Sequence, residues 1–137
     1  MSNHRAFQLY AHITWHTWNR IGCVDSLAAI DVTSAVASAC KQSGVRLLRQ
    51  AVLADHVHLV VSFRPDTRLS DFVRLAKCAS ATRATRRVFG ALRWARGYYA
   101  STIHRRDLNR VAQYVADQFL RHPDRIPKGT PAPVGFT

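Results

Sequence analysis

Glutamate is absent from this chain. All eight acidic residues are aspartate, against twenty Lys plus Arg, and the formal net charge of the 137 residues is +12. No glutamate is therefore available as a general base. Cysteine is scarce too: Cys23, Cys40 and Cys78 are odd in number, far apart and set in apolar segments. Without CxxC pairs there is no structural zinc of that kind, and the expectation is three reduced, buried thiols in a cytosolic protein. No run approaches the ~18 consecutive apolar residues of a membrane span, and no signal-peptide pattern is present. A GxxxxGK[ST] loop is missing as well, so the sequence offers no cradle for ATP phosphates. Internal repeats and low-complexity segments are also lacking.

What is abundant is arginine, which makes up 17 of the 20 cationic residues. Its planar fork suits bidentate phosphate contact and stacking on bases or aromatic rings, so a polyanionic partner is implied, nucleic acid first. The charge is concentrated: from Arg68 to Arg110 there are eleven basic residues and two acidic ones, Asp71 and Asp107. A chain of this length forms one domain able to bury about two thirds of the surface it exposes unfolded, so it can fold without disulfides or a structural metal. Residues 1–125 are expected to form that domain, and residues 126–137, with their prolines and glycines, an irregular tail.

The stretch Ala54–Phe63 organises the rest. Its alternation is that of a half-buried strand, with Val57, Leu59, Val61 and Phe63 on one face and His56, His58, Val60 and Ser62 on the other. Residues two apart on a strand lie about 6 to 7 Å apart, so both imidazoles can converge on one small object, a divalent metal ion being the obvious candidate. A solvent face that happens to carry two histidines explains the pair equally well, and further ligands would have to come from another element.

The remaining segments fall into a simple order. Phe7 to Trp18 alternates like a strand, with His12 and His16 on its polar side as extra ligands, nucleic-acid contacts or plain surface. Asp25 or Ser26 caps a scaffold helix that stops at Gly44. Val45 to Val52 is a second strand, the His-bearing segment a third. A helix from Ser70 buries Phe72, Val73, Leu75 and Ala76 and leaves Arg74, Lys77, Arg83, Arg86 and Arg87 as a surface suited to tracking phosphates. Trp94, Tyr98 and Tyr99 lie among Arg93 and Arg96, a mixture suited to stacking unpaired bases, although Trp94 can equally plug the core. Tyr98 to Ile103 is a short strand, and Asp107 caps a last helix running to about Arg121. On that helix Tyr114 and Gln118 are four apart and share a face.

This order predicts an α+β fold, a ferredoxin-like split βαβ antiparallel sheet with an added C-terminal helix. Two helices can cover one face. The added helix can cross the other, where His56 and His58 project, and bring Tyr114 and Gln118 to them.

Asp55-His56-Val57-His58-Leu59-Val60-Val61 resembles the His-hydrophobe-His motif of the IS200/IS605-type single-tyrosine transposases (HUH, Y1 enzymes) and of the related proteins associated with repetitive extragenic palindromes. Arg93 to Thr102 and Val111 to Gln118 resemble later segments of that family, so the likeness spans roughly Tyr10 to His122. Two departures occur in the groove region: Cys78 and His104 stand where the family often has glycine.

The resemblance implies that 1–125 is a catalytic domain in which His56 and His58 bind metal, Tyr114 is the nucleophile and Gln118 completes the metal site. The reaction implied is metal-assisted transesterification of single-stranded DNA through a 5′-phosphotyrosine, with Mg²⁺ or Mn²⁺ fitting a mixed nitrogen and oxygen donor set. A phenol is mostly protonated near neutrality, so its attack needs a base or a positive field. Arginines and metal offer the field; Asp55 reads as a turn residue or as an orienter of a histidine. Expected partners are single-stranded DNA with hairpin ends and a second copy of the chain, in the cytoplasm and on the nucleoid. A host-adapted palindrome-associated transposase and a non-catalytic single-stranded nucleic-acid-binding module are the alternatives.

Overall fold

The computed structural model describes residues 8–131. Strand β1 (Leu9–His16) buries Ala11, Ile13 and Trp15 on one side, as its alternation requires. It ends where the chain turns through Trp18–Arg20, with Asn19 and Arg20 both at positive φ (52° and 53°). Helix α1 (Ser26–Ser43) follows. Asp25 caps it by accepting from the Ala28 N–H at 2.8 Å, and Gly44 ends it in the left-handed conformation at φ 66°, which glycine adopts without strain. Then come β2 (Arg46–Val52), β3 (His56–Phe63), α2 (Leu69–Arg87) and β4 (Tyr99–Thr102).

The four strands form one sheet in the order β2-β3-β1-β4, every neighbouring pair antiparallel. Strand β3 is thereby inserted between β2 and β1, the split βαβ arrangement expected from the sequence. Helices α1 and α2 pack on each other and on one face of the sheet, where Ile13, Trp15, Val32, Val36, Val57, Leu59, Val61 and Phe72 form the main core. Trp94 joins this core: its ring meets Trp15 edge-on at 5.9 Å and its indole N–H donates to the buried Ser80 hydroxyl at 2.9 Å. The ring, partly buried, packs as a plug at the edge of the core.

The opposite face is covered by α3 (Leu108–Ala116), which lies across β2 and β3 and buries Val115. Hence β3 is buried on both faces, Val60 and Ser62 included, rather than half-buried as its pattern suggests. The last helix is also not continuous to Arg121. Asp117 leaves helical geometry (φ −89°, ψ 6°) and a short α4 (Gln118–Arg121) begins after it. The thiols differ from expectation as well: Cys40 is buried, Cys23 half-buried, and Cys78 exposed because it falls on the outer stripe of α2. Residues 126–131 of the segment read as a tail lie within the described chain, and 132–137 lie outside it. Among the described residues no helix is long and apolar enough to cross a membrane.

Candidate active site

Strand β3 carries His56 and His58 on the face turned away from the main core, their rings edge to face with centroids 4.9 Å apart. His58 is 7% exposed. Beside it, β1 contributes His12, which stacks on His58 (centroids 5.1 Å) and shares a hydrogen bond between His12 Nε2 and His58 Nδ1 at 2.9 Å. That bond requires at least one of the two rings to be neutral, since one nitrogen must present a lone pair. Burial, followed by the positive fields of His56, His12 and His122, pushes His58 down to about 3, with Gln118 acting weakly in the other direction. Burial lowers His12 too. Both changes favour neutral imidazole, the form that binds metals.

His56 is oriented from behind. Its Nδ1 meets Asp55 Oδ1 at 2.7 Å, and the other oxygen of that buried carboxylate pairs with the Arg125 guanidinium. Donation from Nδ1 leaves the lone pair on Nε2, the arrangement by which ligating histidines are commonly fixed.

Tyr114 on α3 sits over this group, its ring 6.0 Å from that of His58 and 6.1 Å from that of His12. The Arg121 guanidinium lies over the tyrosine ring, 4.8 Å from its centroid. Gln118, one turn on, is fully buried and donates from Nε2 to the Tyr114 carbonyl at 3.2 Å. Its Oε1 is buried without a hydrogen-bond partner, although it neighbours His58. An orphaned buried carbonyl costs free energy until something satisfies it, and a cation held jointly with imidazole nitrogens would do so. Among the described residues no group of three or more His, Cys, Asp or Glu is placed to hold a metal; His56, His58 and the Gln118 oxygen are among the nitrogen and oxygen donors that line one cleft. His16, His56, His58, Tyr114, Gln118 and His122 line one cleft of about 350 Å³, with Arg20 and Arg125 beside them.

The fold thus brings His56, His58, Tyr114 and Gln118 to one place. It does not bring the expected DNA-contacting residues there. Arg74, Arg83, Arg86 and Arg87 are exposed on α2, which packs on the other side of the sheet. Several are engaged: Arg87 pairs with Asp31, Arg74 with Asp71 at 3.6 Å, and Arg83 reaches Ser38 at 3.5 Å. Lys77 donates to the carbonyls of Ala95 and Gly97, both at 2.8 Å, and so holds a loop. Arg96 is exposed, and Arg93 lies over the half-exposed Trp18 ring, 4.2 Å from its centroid. The sequence alone did not point to His122, Arg121 or Arg125. The four-residue step from Gln118 to His122 was the available signal, since it repeats the step from Tyr114 to Gln118.

Comparison with known proteins bears on the family and the fold. The family model described as "Transposase IS200 like" matches residues 5–118. Over 119 residues the chain is 25% identical to the ISDra2 transposase TnpA of Deinococcus radiodurans, covering 82% of this chain and 85% of that protein. A crystal structure of a Deinococcus radiodurans R1 protein described as a transposase superposes with a TM-score of 0.64 at 25% identity, over 82% of this chain and 92% of that one. A REP-associated tyrosine transposase bound to a REP hairpin superposes with a TM-score of 0.68 at 15% identity, over 83% and 68% of the two chains, a likeness of fold.

Proposed function

Since this chain belongs to the IS200-like transposase family, we propose that it cleaves and rejoins single-stranded DNA by transesterification, with Tyr114 as nucleophile. The observation that carries this reading is the placing of the Tyr114 ring 6.0 Å from His58, in the cleft that also holds His56 and the unpartnered Gln118 oxygen. In the step proposed, Tyr114 Oη bonds to phosphorus and gives up its proton, the bond from phosphorus to the strand's 3′ oxygen breaks, and that strand leaves as a 3′ hydroxyl. The 5′ phosphate stays on the tyrosine until another 3′ hydroxyl reverses the exchange, so no ATP is consumed.

His56, His58 and Gln118 would hold a divalent cation, Mg²⁺ or Mn²⁺. When bound, it supplies Lewis-acid stabilisation of charge growing on the phosphate. The chain's own groups do the rest. Arg121 sets a guanidinium against the nucleophile's ring, and Arg20 adds positive charge at the cleft, where a phosphate would be attracted. The outer arginines Arg74, Arg83, Arg86, Arg87, Arg93 and Arg96, with Lys77 as a loop anchor, extend the positive surface for the rest of the strand.

The DNA partner is single-stranded with hairpin ends. The hairpin-bound REP-associated relative supports this, as does the charge of +12. A homodimer is the working form, because one chain of 137 residues offers little room to hold two DNA ends.

Incubation with 5′- and 3′-labelled single-stranded hairpin DNA, in Mg²⁺ or Mn²⁺ and in chelator, tests the reading. The expected result is a metal-dependent adduct that survives denaturing gels and keeps the label on the 3′ side of the cut. Free ends without adduct would instead identify a simple nuclease.

A further inference from the structure

The family match ends at residue 118, yet two side chains beyond it, His122 and Arg125, line the cleft. Arg125 grips the start of the histidine strand twice. Its carbonyl accepts from the Ala54 N–H at 2.7 Å, and its guanidinium pairs with the carboxylate of Asp55. The segment is fixed on both sides of this contact. Pro123–Arg125 forms a single 3₁₀ turn closed by Arg125 N–H donating to the His122 carbonyl at 2.9 Å. Further on, the Ser26 N–H donates to the Lys128 carbonyl at 2.8 Å, and Gly129 (φ 88°) passes so close that a Cβ there would stand 2.7 Å from Ser26 Oγ. Residues 122–130 are a strap, tied at the head of α1 and at the turn before β3.

Asp55 explains what the strap is for. A carboxylate only 1% exposed needs partners for both oxygens, and it has one for each: His56 Nδ1 and Arg125. With Oδ2 held by the guanidinium, the carboxylate plane cannot swing, so Oδ1 stays aimed at the imidazole N–H. That fixes the His56 ring and its tautomer, with Nε2 left as the acceptor.

We infer that Arg125 is a positioning residue for His56, acting through Asp55, so that the strap beyond the last helix belongs to the metal-binding apparatus. The inference rests on His56 being a metal ligand. Mn²⁺ binding to the full-length protein, followed by electron paramagnetic resonance, tests it without reference to DNA. Arg125→Ala should weaken Mn²⁺ binding by about tenfold, the low end of what losing such an outer partner costs. Arg125→Lys, which keeps the charge at one point of attachment, should recover part of it. In an Asp55→Asn background Arg125→Ala should cause no further loss, because the route runs through the carboxylate. A merely structural arginine would lower the melting temperature and leave the affinity of the folded protein unchanged; that result, or a further loss of Mn²⁺ affinity on adding Arg125→Ala to Asp55→Asn, overturns the inference. Should Arg125→Ala fail to fold, Arg125→Lys and Asp55→Asn carry the same comparison. His56→Ala separates the two ideas: if it abolishes Mn²⁺ binding while Arg125→Ala does not alter it, the site reading stands and the positioning role falls. If the wild type binds no Mn²⁺, both fall.

Discussion

Tyr114 and Gln118 are one turn apart and end in opposite surroundings, the ring 38% exposed and the carboxamide fully buried. This split suits a nucleophile that must meet DNA and a ligand that must not meet water. Tyr114→Phe removes one oxygen from a partly exposed ring, so it should change stability by no more than about 0.5 kcal/mol. It should leave Mn²⁺ and DNA binding intact and abolish the covalent adduct; an adduct that persists in Tyr114→Phe would assign the chemistry elsewhere, for instance to the exposed Tyr98 or Tyr99. His58 makes a second prediction, for the metal-free protein in chelator. Its folded-state pKa lies near 3 against an ordinary 6.5, so between those values the unfolded chain binds the extra proton. Stability from this residue is therefore complete above about pH 6.5 and falls as the solution is acidified toward 3, by at most about 1.4 kcal/mol per pH unit for one proton. Urea melts at pH 7, 6 and 5 should show the decline, and His58→Gln should flatten it.

At the scale of elements, the legible parts were those whose signals are local. Asp25 and Gly44 mark the two ends of α1 in the sequence and do so in the fold, because a cap and a left-handed stop act within a few residues. The order of strands and helices gave the sheet, and the sheet gave the meeting of β3 with the last helix. What periodicity could not carry was burial decided by a distant neighbour. Val60 and Ser62 look like a solvent face until α3 lies on them, and Trp94 looks like a base-stacking ring until Trp15 and Ser80 claim it. The meeting of His56, His58, Tyr114 and Gln118 in one cleft was legible from spacing and resemblance. The Asp55 and Arg125 pairing was not, because it joins positions 70 residues apart. Lys77 belongs to the same lesson. Because its ammonium holds the carbonyls of Ala95 and Gly97, Lys77→Ala should destabilise the protein by roughly 1 to 2 kcal/mol. Hydrogen exchange should quicken at residues 93–97, with little change in the salt dependence of DNA binding; a large change there would restore it to the phosphate track.

Over the whole molecule the charge is distributed on both sides of the sheet, and salt titration can tell which side DNA uses. Binding should weaken linearly on a log-log plot, with a slope of about −0.7 per phosphate neutralised on single strands. Replacing Arg83, Arg86 and Arg87 together by Ala should make the slope shallower by about 0.7 for each phosphate that they had neutralised. An unchanged slope would confine the track to the cleft side, around Arg20 and Arg121. Sedimentation with and without hairpin DNA should show a dimer, and monomer alone in both conditions would count against two copies working together.

The sheet order β2-β3-β1-β4 also imposes a schedule. The first of the described strands, β1, is an inner strand, and neither of its partners follows it directly. His12 must wait for β3 before it can reach His58, β4 comes later still, and Tyr114, Gln118 and Arg125 come last. Pairings so far apart in sequence are closed late and slowly. A nascent chain therefore carries His12, His56 and His58 before it has Tyr114 to set beside them, and the cleft is complete only once the segment through Arg125 has been made.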